Sequence, residues 1–250
     1  MKLNKKISKE IRKIRSSLAW SVRIEREDSV EGYGLRSYPQ AHEHVITLPP
    51  KNPKVAKPSK AAELHEYIHA WLAETRHPLF AAPAFVNSLD NPFAKEAVRR
   101  CLNETLDWFV DHEVYVRCPR AFEHRLRVEF GSDDGGARDQ LMMEEDPIAF
   151  PITLALADAQ NWKYLGQHAG NRPEFIPRMT DAFLRVPPEH PTIGKATILF
   201  NSLLPIVPLS IKVRVVEAEG MAKWMLYEPN GQVAAGSKVN EVGLGKGAAR

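Results

Sequence analysis

The segment His65-Glu66-Tyr67-Ile68-His69 constrains this chain more than any other feature, because its residues make chemical sense together only on a helix. Histidines at i and i+4 stand one turn apart on one helical face, where both rings can reach a single metal ion. Glu66 then lies beside them, placed to take a proton from a water that zinc has made acidic. The surroundings allow such a helix. The run from Pro49 to Pro58 carries four prolines and cannot be helical throughout, and Ser59 after it offers a side-chain oxygen to cap free amides. Leu64, Ile68, Trp71 and Leu72 recur at three-to-four spacing and give the helix an apolar stripe to bury. On these residues alone a metal-free reading, with His65 and His69 as half-buried polar side chains, stays open.

A third ligand is expected on a second helix. Asn91-Pro92 pairs an N-cap with a proline at the first helical position, and the chain stays compatible with helix until Cys118-Pro119. Within it Asn103, Asp107 and Asp111 are each four apart, while Glu104, Asp107 and Asp111 follow an i, i+3, i+7 pattern, so either set forms a polar stripe. Stacked carboxylates repel unless a positive charge faces them. Either a metal provides it, or Arg99, Arg100 and Arg117 answer a solvated acidic face. A catalytic zinc takes three protein ligands and keeps one position for water, which favours a carboxylate presented to the HExxH helix.

With these residues in view, the chain resembles the zincin metallopeptidases. More narrowly, Asn103-xxx-Asp107-Trp108-x-Val110-Asp111 after HExxH is similar to bacterial metallopeptidases whose second helix reads N-xxx-D-aromatic-x-V-N. The resemblance covers roughly residues 40 to 120. It implies zinc bound by His65, His69 and Asp107, Glu66 as general base, and Asn103 and Asp111 in support. It implies a zinc-dependent hydrolase that cleaves peptide bonds in a peptide or protein substrate. The NExxxD pattern of the thermolysin-like zincins is broken, since Trp108 stands four after Glu104, so Glu104 is the runner-up ligand. The extension HExxHxxGxxH is absent, with Leu72 and Thr75 at its Gly and His positions, and Glu63 replaces the uncharged residue usual before the motif. The alternative from a different class is a metal-containing module that binds peptide, or regulates, without catalysis.

The fold class expected is α+β and zincin-like, with a small N-terminal sheet, the HExxH helix, the second ligand-bearing helix, a helical region and a C-terminal β-hairpin. The parts are a core over 1–120, a helical and hairpin region over 121–235 that completes it, and a flexible tail over 236–250. Trp20 to Arg26, Tyr33 to Tyr38 and His44 to Leu48 read as strands, the last as the sheet edge that would pair with an extended substrate. His42 and His44 are read as surface residues, not ligands. Asp146-Pro147 starts a helix running to Leu165-Gly166, further helices fall near Phe175 to Leu184 and Thr192 to Leu204, and Ser210 to Val216 with Lys223 to Tyr227 suggests the hairpin. Gly131 to Gly136 lacks the alternation of a calcium loop. Tyr67, His112 and Tyr115 are candidates to hold the oxyanion of the reaction.

Composition narrows the partners. Of 250 residues 44 % are hydrophobic and 26 % charged, and the longest apolar stretch, Ala196 to Leu209, is broken by Asn201, Pro205 and Pro208, so no membrane span is expected. The net charge of +3 does not by itself argue for nucleic acid. It is unevenly placed, because Lys2, Lys5, Lys6, Lys9, Arg12, Lys13 and Arg15 crowd the start, with Leu3, Ile7, Ile11 and Ile14 between them at helical spacing. This reads as an amphipathic helix packed by its isoleucines; nucleic-acid or membrane contact is the lesser reading. The basic start lacks the apolar core of a secretory signal, and Cys101 and Cys118 cannot bridge along one helix, so a cytoplasmic location with free thiols is expected. Oligomeric state is not legible.

Overall fold

The computed structural model describes residues 2–27, 33–48, 59–81, 84–130, 142–167, 172–207, 209–232 and 234. The proline-rich run at 49–58, the glycine-rich turn at 131–136 and the tail at 236–250 lie outside the described residues.

The first helix, α1 (Lys2–Ser17), folds where it does because its isoleucine stripe needs cover. Ile7, Ile11 and Ile14 are buried in the core as α1 packs on α2 (Lys60–Thr75), each such burial contributing roughly 1.5–3 kcal/mol. Between the two helices in chain order comes a three-stranded sheet of β1 (Ser21–Arg26), β2 (Gly34–Tyr38) and β3 (Glu43–Leu48), in spatial order β1-β3-β2. The pair β1–β3 is parallel, Ser21 opposite Glu43, and β2–β3 is antiparallel, Leu35 opposite Ile46.

That order corrects one expectation. The strand from His44 to Leu48 is the centre of the sheet and not its edge. Its burial explains why: His44, Val45, Ile46 and Thr47 are all buried, so both faces are covered, whereas an edge strand facing solvent alternates. His44 is fully buried too, with Nδ1 2.7 Å from Ser37 Oγ and Nε2 3.1 Å from Glu74 Oε1 near the end of α2. It is therefore a brace between sheet and helix, not a surface residue.

The helices begin and end as their caps dictate. Ser59 accepts from Ala62 N at 3.1 Å to open α2, and Asn91 accepts from Ala94 N at 3.1 Å ahead of Pro92 to open α3 (Pro92–Arg117). Cys118-Pro119 ends α3 and starts α4 (Pro119–Phe130). Asp146 accepts from Ala149 N at 2.8 Å, but regular helix starts only there, as α5 (Ala149–Gln160). A π-helical turn, Asn161–Leu165, continues it and closes on Gly166, whose φ of 65° suits a residue without a Cβ. Two more helices, α6 (Phe175–Leu184) and α7 (Ile193–Leu203), precede the hairpin of β4 (Lys212–Ala218) and β5 (Met221–Tyr227), turned at Glu219-Gly220 with φ of 55° and 70°.

Two side-chain amides, one buried and one half-buried, fasten that hairpin. Asn87 bonds Leu226 N and O at 2.9 Å each, and Asn201 bonds Val213 through O and N at 2.9 and 2.8 Å, each side chain imitating a neighbouring strand. The core runs from α1 to the hairpin, with α3 packed on α2, α4, α5 and α7. The chain is thus α+β, and none of its described helices is long and apolar enough to cross a membrane. Cys101 and Cys118 are both free and buried, and burial pushes the Cys101 thiol up to about 12.

Candidate metal centre

His65, His69 and Asp107 come together where α2 crosses the middle of α3. His65 Nε2 lies 3.1 Å from His69 Nε2 and 3.2 Å from Asp107 Oδ1, and His69 Nε2 lies 3.0 Å from the same oxygen. Among the described residues these three form the group able to hold a metal ion.

The hydrogen bonds behind the rings decide what the facing atoms are. His69 Nδ1 is 2.6 Å from the carbonyl oxygen of Phe80, which can only accept, so Nδ1 carries the proton and Nε2 presents a lone pair. His65 Nδ1 likewise donates to Asp111 Oδ1 at 2.9 Å. With both imidazoles neutral, two nitrogen lone pairs and a carboxylate oxygen therefore meet at about 3 Å with no proton of their own between them. Such a donor set repels itself unless a positive charge, a metal ion or a proton on His65 Nε2, sits among it. The spacing also suits a metal ion, since ligands about 2.0–2.1 Å from a tetrahedral zinc stand about 3.3 Å apart.

Electrostatics carries the same message. Burial works against a charge on His65, yet Asp107 and Asp111 hold its pKa well above the ordinary imidazole range. Burial likewise opposes ionisation of Asp107, but the two histidines pull it far below the carboxylate range. Asp111, also buried, is drawn down to about 2, first by Arg125 and then by His65. The arrangement attracts positive charge from every side.

A second layer holds the first. Asp111 Oδ2 accepts from Arg125 Nη2 at 2.7 Å and from Gln160 Nε2 at 2.8 Å, so α4 and α5 fix the carboxylate that fixes His65. Glu104 lies outside the ligand group. Its Oε1 accepts from Thr153 at 2.6 Å and from Arg100 at 3.4 Å, and burial, with the charge of Asp107, pushes it up to about 7. Asn103 lines a separate apolar groove of about 410 Å³ with Val98, Leu102 and Phe85, on the other flank of α3.

Glu66 lines an open cleft of about 260 Å³ together with His65, Asp107 and Arg125. The ligand side chains keep 14 %, 13 % and 29 % of their surface exposed for His65, His69 and Asp107, so small molecules can reach them. The three expected oxyanion donors are not in this wall. Tyr67 is buried on the side of α2 that faces α1, His112 bonds the Tyr164 hydroxyl at 3.0 Å, and Tyr115 stacks on Tyr164 at 4.3 Å. Arg125, Thr153 and Gln160 line it instead. They escape sequence reading because nothing in their local spacing ties them to the motif; the Phe80 carbonyl escapes it because every residue has one.

Comparison with protein-family models, with curated proteins and with solved structures finds no match to this chain.

Proposed function

We propose that this chain is a zinc-dependent hydrolase of the HExxH type, built on a zincin-like plan, that cleaves peptide bonds. The observation that carries the reading is the convergence of His65 Nε2, His69 Nε2 and Asp107 Oδ1, with Glu66 beside them in an open cleft. His65, His69 and Asp107 would hold the ion. Zinc bound there supplies Lewis acidity, polarising a carbonyl and bringing a water's pKa to about 7.

This chain's own residues do the rest. Glu66 takes a proton from the attacking water and passes it to the departing amine, acting first as base and then as acid. Asp111 keeps the Nδ1 proton of His65 in place, so that Nε2 stays free to ligate. Phe80 does the same for His69 through its carbonyl. Arg125, paired with Asp111, puts a cation in the cleft wall that would help to stabilise negative charge on a substrate oxygen. A site kept only for structure closes with a fourth protein ligand and has no use for a base such as Glu66, which weighs against the non-catalytic alternative.

The test has two stages. Protein purified without a polyhistidine tag is assayed for metal by inductively coupled plasma mass spectrometry; near-stoichiometric zinc is expected, and Asp107→Asn should lose it. Peptide libraries are then offered to wild type and Glu66→Gln. The variant should keep its zinc and cleave at least about a hundredfold more slowly. A Glu66→Gln protein as active as wild type would sink the mechanism, and a chain that refuses zinc at neutral pH would sink the site.

A further inference from the structure

The basic residues of α1 form a surface that the metal site does not use. On a helix turning 100° per residue, Lys5, Lys6, Lys9, Arg12 and Lys13 fall within an arc of about 120° opposite the isoleucine stripe. All five are exposed. The helix has one acidic residue, Glu10, which is buried and accepts from Lys13 Nζ at 2.7 Å. Among the described residues no ion pair engages Lys5, Lys6, Lys9 or Arg12.

The charge is segregated. Residues 2–17 hold seven Lys and Arg against one Glu, a net of +6, while the whole chain is only +3, so everything outside α1 sums to −3. On net charge a polyanion is drawn toward α1 more than toward the rest of the chain. We propose that the exposed cationic face of α1 docks the phosphate backbone of duplex nucleic acid, without reading its sequence.

Two observations choose the duplex over other anionic surfaces. A membrane-surface helix sinks its apolar face among the lipid tails, but Ile7, Ile11 and Ile14 are already buried in the protein core and unavailable. Single strands are gripped by aromatic side chains that stack on bases, and α1 has no aromatic residue. What remains is a rigid row of cations. From Lys5 to Lys13 the helix rises about 12 Å, the axial span of about three to four phosphates along one strand of a duplex. Tyr67 of α2 lies toward α1, where the charge of Arg15 reaches its hydroxyl, whereas His65 and His69 face α3. Nucleic acid on α1 would therefore leave the cleft beside Glu66 open.

The proposal stands apart from the metal site and is tested apart from it, on the full chain, by fluorescence anisotropy with a labelled duplex of about 20 base pairs and arbitrary sequence, from about 50 to 200 mM salt. Binding is expected to weaken with salt at a log–log slope of about −3 to −5, each neutralised phosphate adding about 0.9. The triple variant Lys5→Glu, Lys9→Glu, Arg12→Glu should lose binding, with unchanged circular dichroism showing that the isoleucine side still packs. Lys5→Arg, Lys9→Arg, Arg12→Lys, which keeps every charge, should retain it. Three results would overturn the proposal: no binding at the lowest salt, binding undiminished in the glutamate variant, or binding to phosphatidylserine vesicles with none to the duplex.

Discussion

At the scale of single residues the candidate site is a problem of holding lone pairs in place, and Asp111 bears most of it. It accepts from His65, Arg125 and Gln160 at once, three charged or polar partners on one buried carboxylate. Asp111→Asn loses the charge that orients His65 and that pairs with Arg125. Zinc affinity should fall about 10- to 100-fold, as read by competition with a chromophoric chelator. Gln160→Ala removes one donor and leaves Arg125 in place, so a smaller loss is expected; equal losses would mean that Gln160, not the charge, does the positioning. The sequence carried Asp111 plainly, because residues 107 and 111 share a helical face. Arg125 and Gln160 were illegible for a physical reason. They stand 14 and 49 residues away on other helices, and no local period links them to HExxH.

At the scale of elements the polar brace at His44 decides how sheet and helix meet. Glu74, in the last turns of α2, takes His44 Nε2 at 3.1 Å and also accepts from Ala19 N and Trp20 N at 2.6 and 2.9 Å, while Trp20 stacks on the His44 ring at 4.9 Å. Burial lowers the pKa of His44 below its ordinary 6.5, and Glu74 offsets this only in part. The unfolded chain therefore binds more protons below pH 6.5, and folding stability is complete above that value and declines as pH falls through it. His77 and His112 shift the same way, so the informative quantity is a difference. The thermal midpoint of wild type should drop more steeply than that of His44→Gln as pH goes from about 7.5 to about 5.5; parallel curves would show that His44 is not the titrating group. Helix boundaries were the most legible part of the fold, since Ser59, Asn91-Pro92 and Cys118-Pro119 act locally. Strand order was not. In His44-Val45-Ile46-Thr47-Leu48 the polar His44 and Thr47 mask a central strand in the sequence, and only the adjacent apolar pair Val45-Ile46 hints at cover on both faces.

At the scale of the whole molecule the candidate site is also a clamp, because its ligands come from two different helices. His65 and His69 lie on α2, Asp107 on α3, and the carboxylate behind them is tied to α4 and α5. An ion held there joins four elements, and anything that binds the folded chain alone stabilises it, by about 2.7 kcal/mol when free ligand stands at a hundred times its dissociation constant. For a chain of this size each kcal/mol moves the thermal midpoint by about 2–4 °C, so chelation should lower it by roughly 5–10 °C, and added zinc should restore it. Asp107→Asn separates this from any general effect of chelator. That variant keeps the shape of the side chain but loses its charge, so its melting should ignore both chelator and zinc. If wild type also melts at one temperature with and without chelator, while Asp107→Asn is the more stable of the two, then the three converging lone pairs are a strained polar cluster and not a metal centre. A wild-type shift that vanishes in Asp107→Asn would instead tie the stability of α2 against α3 to the atoms that bind the ion.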